Sequence, residues 1–263
     1  MEYKKIVENI RRKLKKYLRT NNLKSLVIGV SGGIDSAVCC ALAKPVCDEL
    51  GVILIGRSLP IESNKQDEID RAKMVGECFC HDFKEVRGLG KPYNVLEERI
   101  HTWEHKANDN IAKGNIKARL RMIYLYNVAG MNNGLVLSTD NYTELLLGFW
   151  TLHGDVGDLG MVQNLWKTEV YALANYLVDE LDNDRAKEAL RACTEADPTD
   201  GLGISENDLE QIGADSYEEV DMILQDYLGG SSKYINHPVI QRYEKTHFKR
   251  NIPICLKRSK ILL

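Results

Sequence analysis

The feature that most constrains this chain is a short apolar run, Leu26-Val27-Ile28-Gly29-Val30, that leads directly into Ser31-Gly32-Gly33-Ile34-Asp35-Ser36 and a small-residue helical stretch from Ser36 to Ala43. An uninterrupted apolar run of this length suits a parallel strand buried on both faces. A strand that turns into a helix aims the helix's unpaired amide donors, and the positive end of its dipole, back at the turn. Paired glycines let the backbone approach an anion closely, and Ser31 and Ser36 add hydroxyl donors. Asp35 puts a carboxylate where a phosphate should sit. Alone it would repel that ligand; with Mg2+ it becomes an oxygen ligand bridging metal and phosphate. The alternative is a plain tight turn with Ser or Asp as a helix cap, which does not need strand, double glycine, acid and two serines together. A Walker A loop ends in Gly-Lys-Ser/Thr, and no lysine occurs here.

Gly51–Ile55 reads as a second buried strand and Asp67–Gly76 as a helix, with Pro45 expected to kink or end the helix before it. The opening is therefore β-turn-α-β-α. This predicts an α/β fold, a parallel twisted sheet with helices on both faces, Rossmann-like in outline. Ile6, Ile10, Leu14, Tyr17 and Leu18 recur at helical spacing and give an amphipathic first helix. Asn115–Ala129 carries two apolar stripes and is expected to be a helix buried on most sides. Gly134–Ser138 reads as a further strand, with a helix starting near Tyr142. Gly148–Gly160, rich in glycine and acid, is a long loop of the kind that carries function. Lys167–Leu181, Tyr217–Leu228 and Val239–Phe248 read as helices and Asp197–Gly203 as a loop. With no repeat or linker, residues 1–263 are expected to form a single domain.

The net charge of −3, from 35 basic and 38 acidic residues, argues against a dedicated nucleic-acid binder. Seven cysteines, none spaced C-x-x-C, fit reduced thiols in a cytoplasmic protein better than a disulfide framework or structural zinc. No apolar run is long enough for a bilayer, so no membrane partner is expected. His101-Thr102-Trp103-Glu104-His105 fits the H-x-x-E-H zinc pattern, but its neighbours Glu97, Glu98, Arg99 and Lys106 read as a solvated polar helix.

Ser31–Ser36 resembles the pyrophosphate-binding SGGxDS loop of the N-type ATP pyrophosphatases, enzymes of adenine nucleotide alpha hydrolase-like fold that adenylate a substrate. Gly114–Met122 resembles the GNIxARxRM segment of the ammonia-dependent NAD synthetases in that superfamily. Gly134–Glu144 and Gly148–Asp155 are similar to that family's GTD(N/H)xxE and GFFTKxGDGGAD stretches, in the same order. Lys167, Pro198-Thr199, Tyr217 with Asp221, and Lys245–Arg250 fall on further family positions, so the resemblance runs from about Tyr17 to Pro253.

The resemblance implies a role for each matching residue. ATP would be held by Ser31, Gly32, Gly33, Ile34, Asp35, Ser36, Thr139, Lys167 and Thr199. Mg2+ would be bound by Asp35 and Glu144. Deamido-NAD would be bound by Tyr17, Arg119, Phe149, Trp150, Leu152, Asp158, Phe248 and Lys249, with Asp155 and Lys167 catalytic. The residues also admit plainer readings. Asn141-x-x-Glu144 is an acceptable capping box, and Lys167 could be a solvated lysine. Arg119, read as buried, could close an internal salt bridge, and Tyr17 could face the core of the first helix. The chain departs from the family where the glycine-rich loop is shortened to Gly154-Asp155-Val156-Gly157-Asp158, and where Leu152 and Phe248 replace a lysine and a histidine.

Taken together, the resemblance implies amidation of deamido-NAD by free ammonia at the expense of ATP, in a homodimer. The alternatives are a tRNA-modifying relative, disfavoured by the acidic charge, and a non-catalytic adenine-nucleotide-binding module.

Overall fold

The computed structural model describes residues 2–62, 64–100, 109–199, 201–204, 207–252 and 254–261. Five strands are described: β1 (Ser25–Gly29), β2 (Ile53–Ser58), β3 (Asp82–Glu85), β4 (Gly134–Ser138) and β5 (Leu159–Gly160). The helices that concern the sheet are α1 (Tyr3–Thr20), α2 (Ile34–Leu50), α3 (Gln66–Phe79), α4 (Gly90–Ile100), α5 (Asp109–Met131), α6 (Tyr142–Leu147), α7 (Lys167–Glu180) and α8 (Asp184–Thr194). They are followed by α9 (Asp208–Ile212), α10 (Tyr217–Leu228), α11 (Pro238–Lys245), a 3-10 turn over His247–Arg250, and α12 (Arg258–Ile261).

The strands are parallel in the order β3-β2-β1-β4-β5, with Val27 of β1 opposite Ile55 of β2 and Val136 of β4. Side chains alternate between the faces of a strand, and both faces here are apolar. Leu26, Ile28, Leu54, Leu135 and Leu137 join a core built with α1, α2, α3, α7 and α8. Val27, Ile55 and Val136 face Met122, Leu125 and Ala129 of α5 on the other side. This is the expected α/β architecture with helices on both faces. Strand order runs outward in both directions from β1, and the carboxyl ends of β1 and β4 flank the place where such sheets bind ligands. A separate apolar cluster joins α6 to α9, α10 and α11 through Leu146, Leu147, Ile212, Val220, Leu224 and Ile240.

Several elements differ from expectation for local reasons. Gly51 is the left-handed cap of α2, at φ 63°, so β2 begins two residues later and runs on through Arg57 and Ser58. α2 passes through Pro45 without ending. Proline removes the amide that would pair with the carbonyl four residues back, and that carbonyl, of Ala41, accepts from Arg11 Nη2 at 3.3 Å instead. α5 is not buried on most sides: Ile123 is 65% exposed. Tyr17 faces away from the core that Leu14 and Leu18 enter. α11 stops at Lys245, and the chain continues as a 3-10 turn. β3 and α8 were not legible, because Asp82-Phe83-Lys84-Glu85 has little apolar content and α8 buries mainly Ala186, Ala189, Leu190 and Cys193 beneath a charged surface. The H-x-x-E-H segment lies outside the described residues. No described helix is long and apolar enough to cross a membrane.

Arg11→Ala is expected to cost about 1–2 kcal/mol in urea unfolding, because it strands the Ala41 carbonyl. Pro45→Ala supplies the missing amide, so the double variant should recover most of that loss. Strictly additive effects in the double-mutant cycle would contradict this account of how α2 tolerates its proline.

Candidate active site

The loop between β1 and α2 is shaped by its own side chains. Gly33 N donates to Ser31 Oγ at 3.2 Å, Ser36 Oγ donates to the Gly33 carbonyl at 3.0 Å, and the two hydroxyl oxygens lie 3.1 Å apart. Gly32 has φ +85°, and a Cβ added there would lie 2.3 Å from the Glu68 carbonyl oxygen of α3. Both the backbone conformation and the close packing therefore require glycine. No side chain caps the N-terminus of α2. The plain-cap alternative is thus not what the loop does, and the unpaired amides of this helix remain available to an anion.

A cleft of about 400 Å3 opens at the carboxyl ends of β1, β2 and β4, within the range of small-molecule sites. Ser31, Gly33, Ile34, Asp35 and Ser36 line it, as do Thr139, Glu144, Phe149, Trp150, Asp155, Lys167, Thr199 and Lys249. The parallel sheet thereby brings together segments more than a hundred positions apart in the chain.

Lys167 sits at the centre of the electrostatics. It is the first residue of α7, and only 4% exposed. Its Nζ lies 2.5 Å from Asp35 Oδ2 and 3.1 Å from Glu144 Oε1, and 5.1 Å from the centre of the Tyr217 ring. Burial disfavours the ammonium, but Asp35 and Glu144 outweigh it and hold Lys167 well above its usual range. The solvated-lysine reading does not hold. Its backbone is fixed as well: Lys167 N donates to Thr143 Oγ1 at 2.9 Å, which donates to the buried Asp221 at 2.5 Å. Asp221 also accepts from Thr168 N at 3.0 Å, so α10 ties α6 to the start of α7.

Glu144 performs two tasks. Its amide donates to Asn141 Oδ1 and its Oε2 accepts from Asn141 N, closing the capping box of α6, while Oε1 faces Lys167. Asn141 Nδ2 donates to Asp35 Oδ1 at 2.9 Å. Burial pushes the Glu144 carboxyl up to about 8; Lys167 pulls against this, and Asp35 and Asp140 add to it. Burial likewise raises Asp140 to about 6. Asp35 and Glu144 thus meet a single ammonium, and Asp140, bonded to Ser138 Oγ, acts on them through its charge, so acidic groups outnumber the cation.

Asp155 is partly buried in the loop after α6, where both carboxylate oxygens accept from Thr151 N at 2.8 and 3.1 Å. Burial, then the charge of Asp140, pushes it up to about 7. Thr151 Oγ1 donates to Asn115 Oδ1 of α5 at 2.8 Å, which fastens this loop to the helix. Lys249 donates to the Gly148 carbonyl at 2.7 Å and to the Trp150 carbonyl, and its Nζ lies over the Trp150 ring. Arg242 stacks on Phe149 at 4.9 Å. Trp150 Nε1 is buried without a hydrogen-bond partner among the described residues. Thr199 Oγ1 donates to Glu68 at 2.7 Å.

Other residues matched by resemblance lie outside the cleft lining. Tyr17 is 40% exposed on α1, and Phe248 is 42% exposed in the 3-10 turn. Asp158 Oδ1 accepts from Tyr126 OH at 2.7 Å and its Oδ2 from Val136 N at 2.9 Å, which staples the end of the loop to α5 and β4. Arg119 is exposed, not buried, and donates to the Leu152 carbonyl at 3.2 Å. The buried cation of α5 is Lys117, and the arginine of α5 that lines the cleft is Arg121. Successive helical residues turn by about 100°, so Arg119 and Arg121 face nearly opposite ways; counting Ile123 as core pointed to the wrong side. Arg121 and Glu68 were missed. Arg121 Nη2 donates to Asn64 Oδ1 at 2.8 Å and Asn64 Nδ2 to Glu68 at 3.0 Å; the acid four positions after Asn64 was the available signal.

The raised Asp155 has a consequence for stability. Its pKa is about 7 in the folded protein against 3.8 for the ordinary carboxyl. The folded state therefore binds the extra proton between these values, and stability falls as pH rises through that window. Asp155→Asn should melt at a higher temperature than wild type at pH 8, with the difference shrinking towards pH 4. An equal difference at both pH values would contradict the assignment.

A model of the NAD synthase family matches residues 6–253. The chain is 34% identical over 255 residues to the NH(3)-dependent NAD(+) synthetase of Finegoldia magna, covering 95% of this chain and 97% of that protein. It is 33% identical over 262 residues to the corresponding synthetase of Thermoplasma acidophilum, covering 98% and 99%. Its fold matches the structure of NMN synthetase from Francisella tularensis with a TM-score of 0.81 at 26% identity, over 98% of this chain and 99% of that one. With a family match that extends from α1 past the 3-10 turn that follows α11, the chain belongs to the NAD synthase family.

Proposed function

We propose that this protein joins ammonia to the nicotinate carboxylate of deamido-NAD to give NAD, cleaving ATP to AMP and pyrophosphate. The observation that carries the reading is Lys167, buried between Asp35 of the loop and Glu144 of α6 at the floor of a cleft of nucleotide size. The amides of α2 and the Ser31–Ser36 loop receive the two outer phosphates. A carboxylate oxygen of the substrate attacks the α-phosphorus, the bond to the β-phosphate breaks, and pyrophosphate leaves. Lys167 offsets the charge that develops on it. Ammonia then attacks the adenylated carbonyl carbon and AMP departs. Asp155, raised to about 7, is suited to take the proton that the nitrogen loses. Phe149 and Trp150 offer aromatic surface to the pyridine ring.

The donor set fits Mg2+. Among the described residues no three acidic, histidine or cysteine side chains are grouped to hold a metal. Asp35 and Glu144 nevertheless converge within one ammonium's reach, in a site with excess negative charge. Two carboxylates completed by phosphate and water oxygens suit this hard cation. When bound, Mg2+ would add charge neutralisation on the outgoing pyrophosphate, held by Asp35 and Glu144.

A homodimer completes the reading. α5 presents Ile123, Tyr126 and Met131 at 65, 41 and 78% exposure, beside the exposed Arg119. Such a face suits a second copy, which could also bring Tyr17 to the neighbouring cleft. Sedimentation should find a dimer that Ile123→Glu dissociates; a monomeric wild type would remove this part of the proposal.

The similarity to NMN synthetase supports one second reading, in which the acceptor is the nicotinate mononucleotide. Purified protein with ATP, Mg2+ and ammonium should be given deamido-NAD or the mononucleotide in parallel. NAD with equimolar AMP is expected from the first, and a higher kcat/KM on the mononucleotide would favour the second reading. ADP as the nucleotide product would end both. Asp35→Asn should lower kcat at least about a hundredfold while the fold is retained.

A further inference from the structure

Arg71 of α3 stands beside the phosphate loop and has no part in the chemistry above. Its side chain is only 17% exposed and lines the cleft with Ser31, Gly33 and Asp35. Nε donates to the Gly32 carbonyl oxygen at 3.2 Å, and Nη1 donates to Asp67 Oδ2 at 2.8 Å. The remaining amino group, Nη2, has no protein partner among the described residues.

Other cations of the cleft are already committed. Lys167 is held by Asp35 and Glu144, Arg57 by Asp82, and Lys249 by two loop carbonyls. Pyrophosphate brings several negative charges to a loop that contains no lysine or arginine of its own. A guanidinium is planar and offers five donors in a fixed fork, which matches phosphate oxygens and strengthens the contact through its charge. The Gly32 carbonyl, held by Nε, fixes the orientation of that fork in advance, while Asp67, 64% exposed, adds only a solvent-screened contact. Resting on the nucleotide reading of the cleft, we propose that Arg71 binds the outer phosphates of ATP and the leaving pyrophosphate through Nη2. The bland reading is an i,i+4 ion pair that only supports the loop.

Calorimetry with inorganic pyrophosphate and with AMP, both with Mg2+, separates these readings on the intact protein. Arg71→Met should weaken pyrophosphate about 10- to 100-fold, the size expected for a hydrogen bond to a charged group. It should leave AMP, which lacks the outer phosphates, within about twofold. Asp67→Asn keeps Arg71 on the loop and should bind pyrophosphate nearly as wild type does. Hydrogen exchange over residues 31–36 of the ligand-free Arg71→Met protein should match wild type. Unchanged pyrophosphate affinity in Arg71→Met would overturn the proposal. So would an equal loss in Asp67→Asn, or accelerated exchange in the loop, which would assign Arg71 to loop shape. A wild type that binds AMP but no pyrophosphate would remove the phosphate reading of the loop itself, a failure distinct from that of Arg71.

Discussion

The structure turns on one buried ammonium. Lys167 draws Asp35, from the loop after β1, and Glu144, from the first turn of α6, to a common point. Neither carboxylate could be buried there beside Asp140 without a cation, because desolvating a charge costs several kcal/mol unless it is paired. The pairing also works in reverse: an isolated ammonium at 4% exposure would be as costly. Three segments distant in sequence are therefore held together by a requirement of charge balance, and that balance is strained, since Glu144 is pushed up to about 8 beside Asp35 and Asp140. A site of this kind is prepared for a ligand that changes its charge.

The C-terminal helices supply the frame for this arrangement. Asp221 and Tyr217 lie one turn apart on α10; one fixes the backbone at the start of α7 through Thr143 and Thr168, and the other lays its ring against the Lys167 ammonium. Arg242, Lys249 and Arg250 donate to the carbonyls of Leu147, Gly148 and Leu146 at the end of α6. α6 has only six residues, too few to stand alone. It is held by its capping box at one end and by these cations at the other, where the helix dipole favours positive charge. The short helix thus carries Glu144 into the site, and the loop after it carries Phe149, Trp150 and Asp155.

What could be read in advance follows from how local each signal is. The turn from β1 into α2 was legible because strand, paired glycines and serines lie within eleven residues, and the parallel sheet because its strands are apolar on both faces. Helix boundaries were least legible where a long-range partner intervenes. α2 runs on through Pro45, with Arg11 of another helix taking the carbonyl that the proline leaves unpaired. The orientation of α5 was misread because an exposed Ile123 looks like a core residue in sequence. β3 and β5 escaped notice because four mixed residues and two residues carry no detectable period.

By itself, then, the order of residues determined that β1, β2 and β4 would be strands between helices and that a glycine-serine turn would stand at the head of α2. These depend on backbone conformation and on the alternation of apolar side chains, which neighbours in the chain specify. Only the tertiary structure decided that Lys167 would be buried rather than solvated, that Glu144 would serve its capping box and the site at once, and that Arg121 rather than Arg119 would face the cleft. Those outcomes depend on burial and charge between groups far apart in the chain, and burial exists only once the sheet and its covering helices have closed.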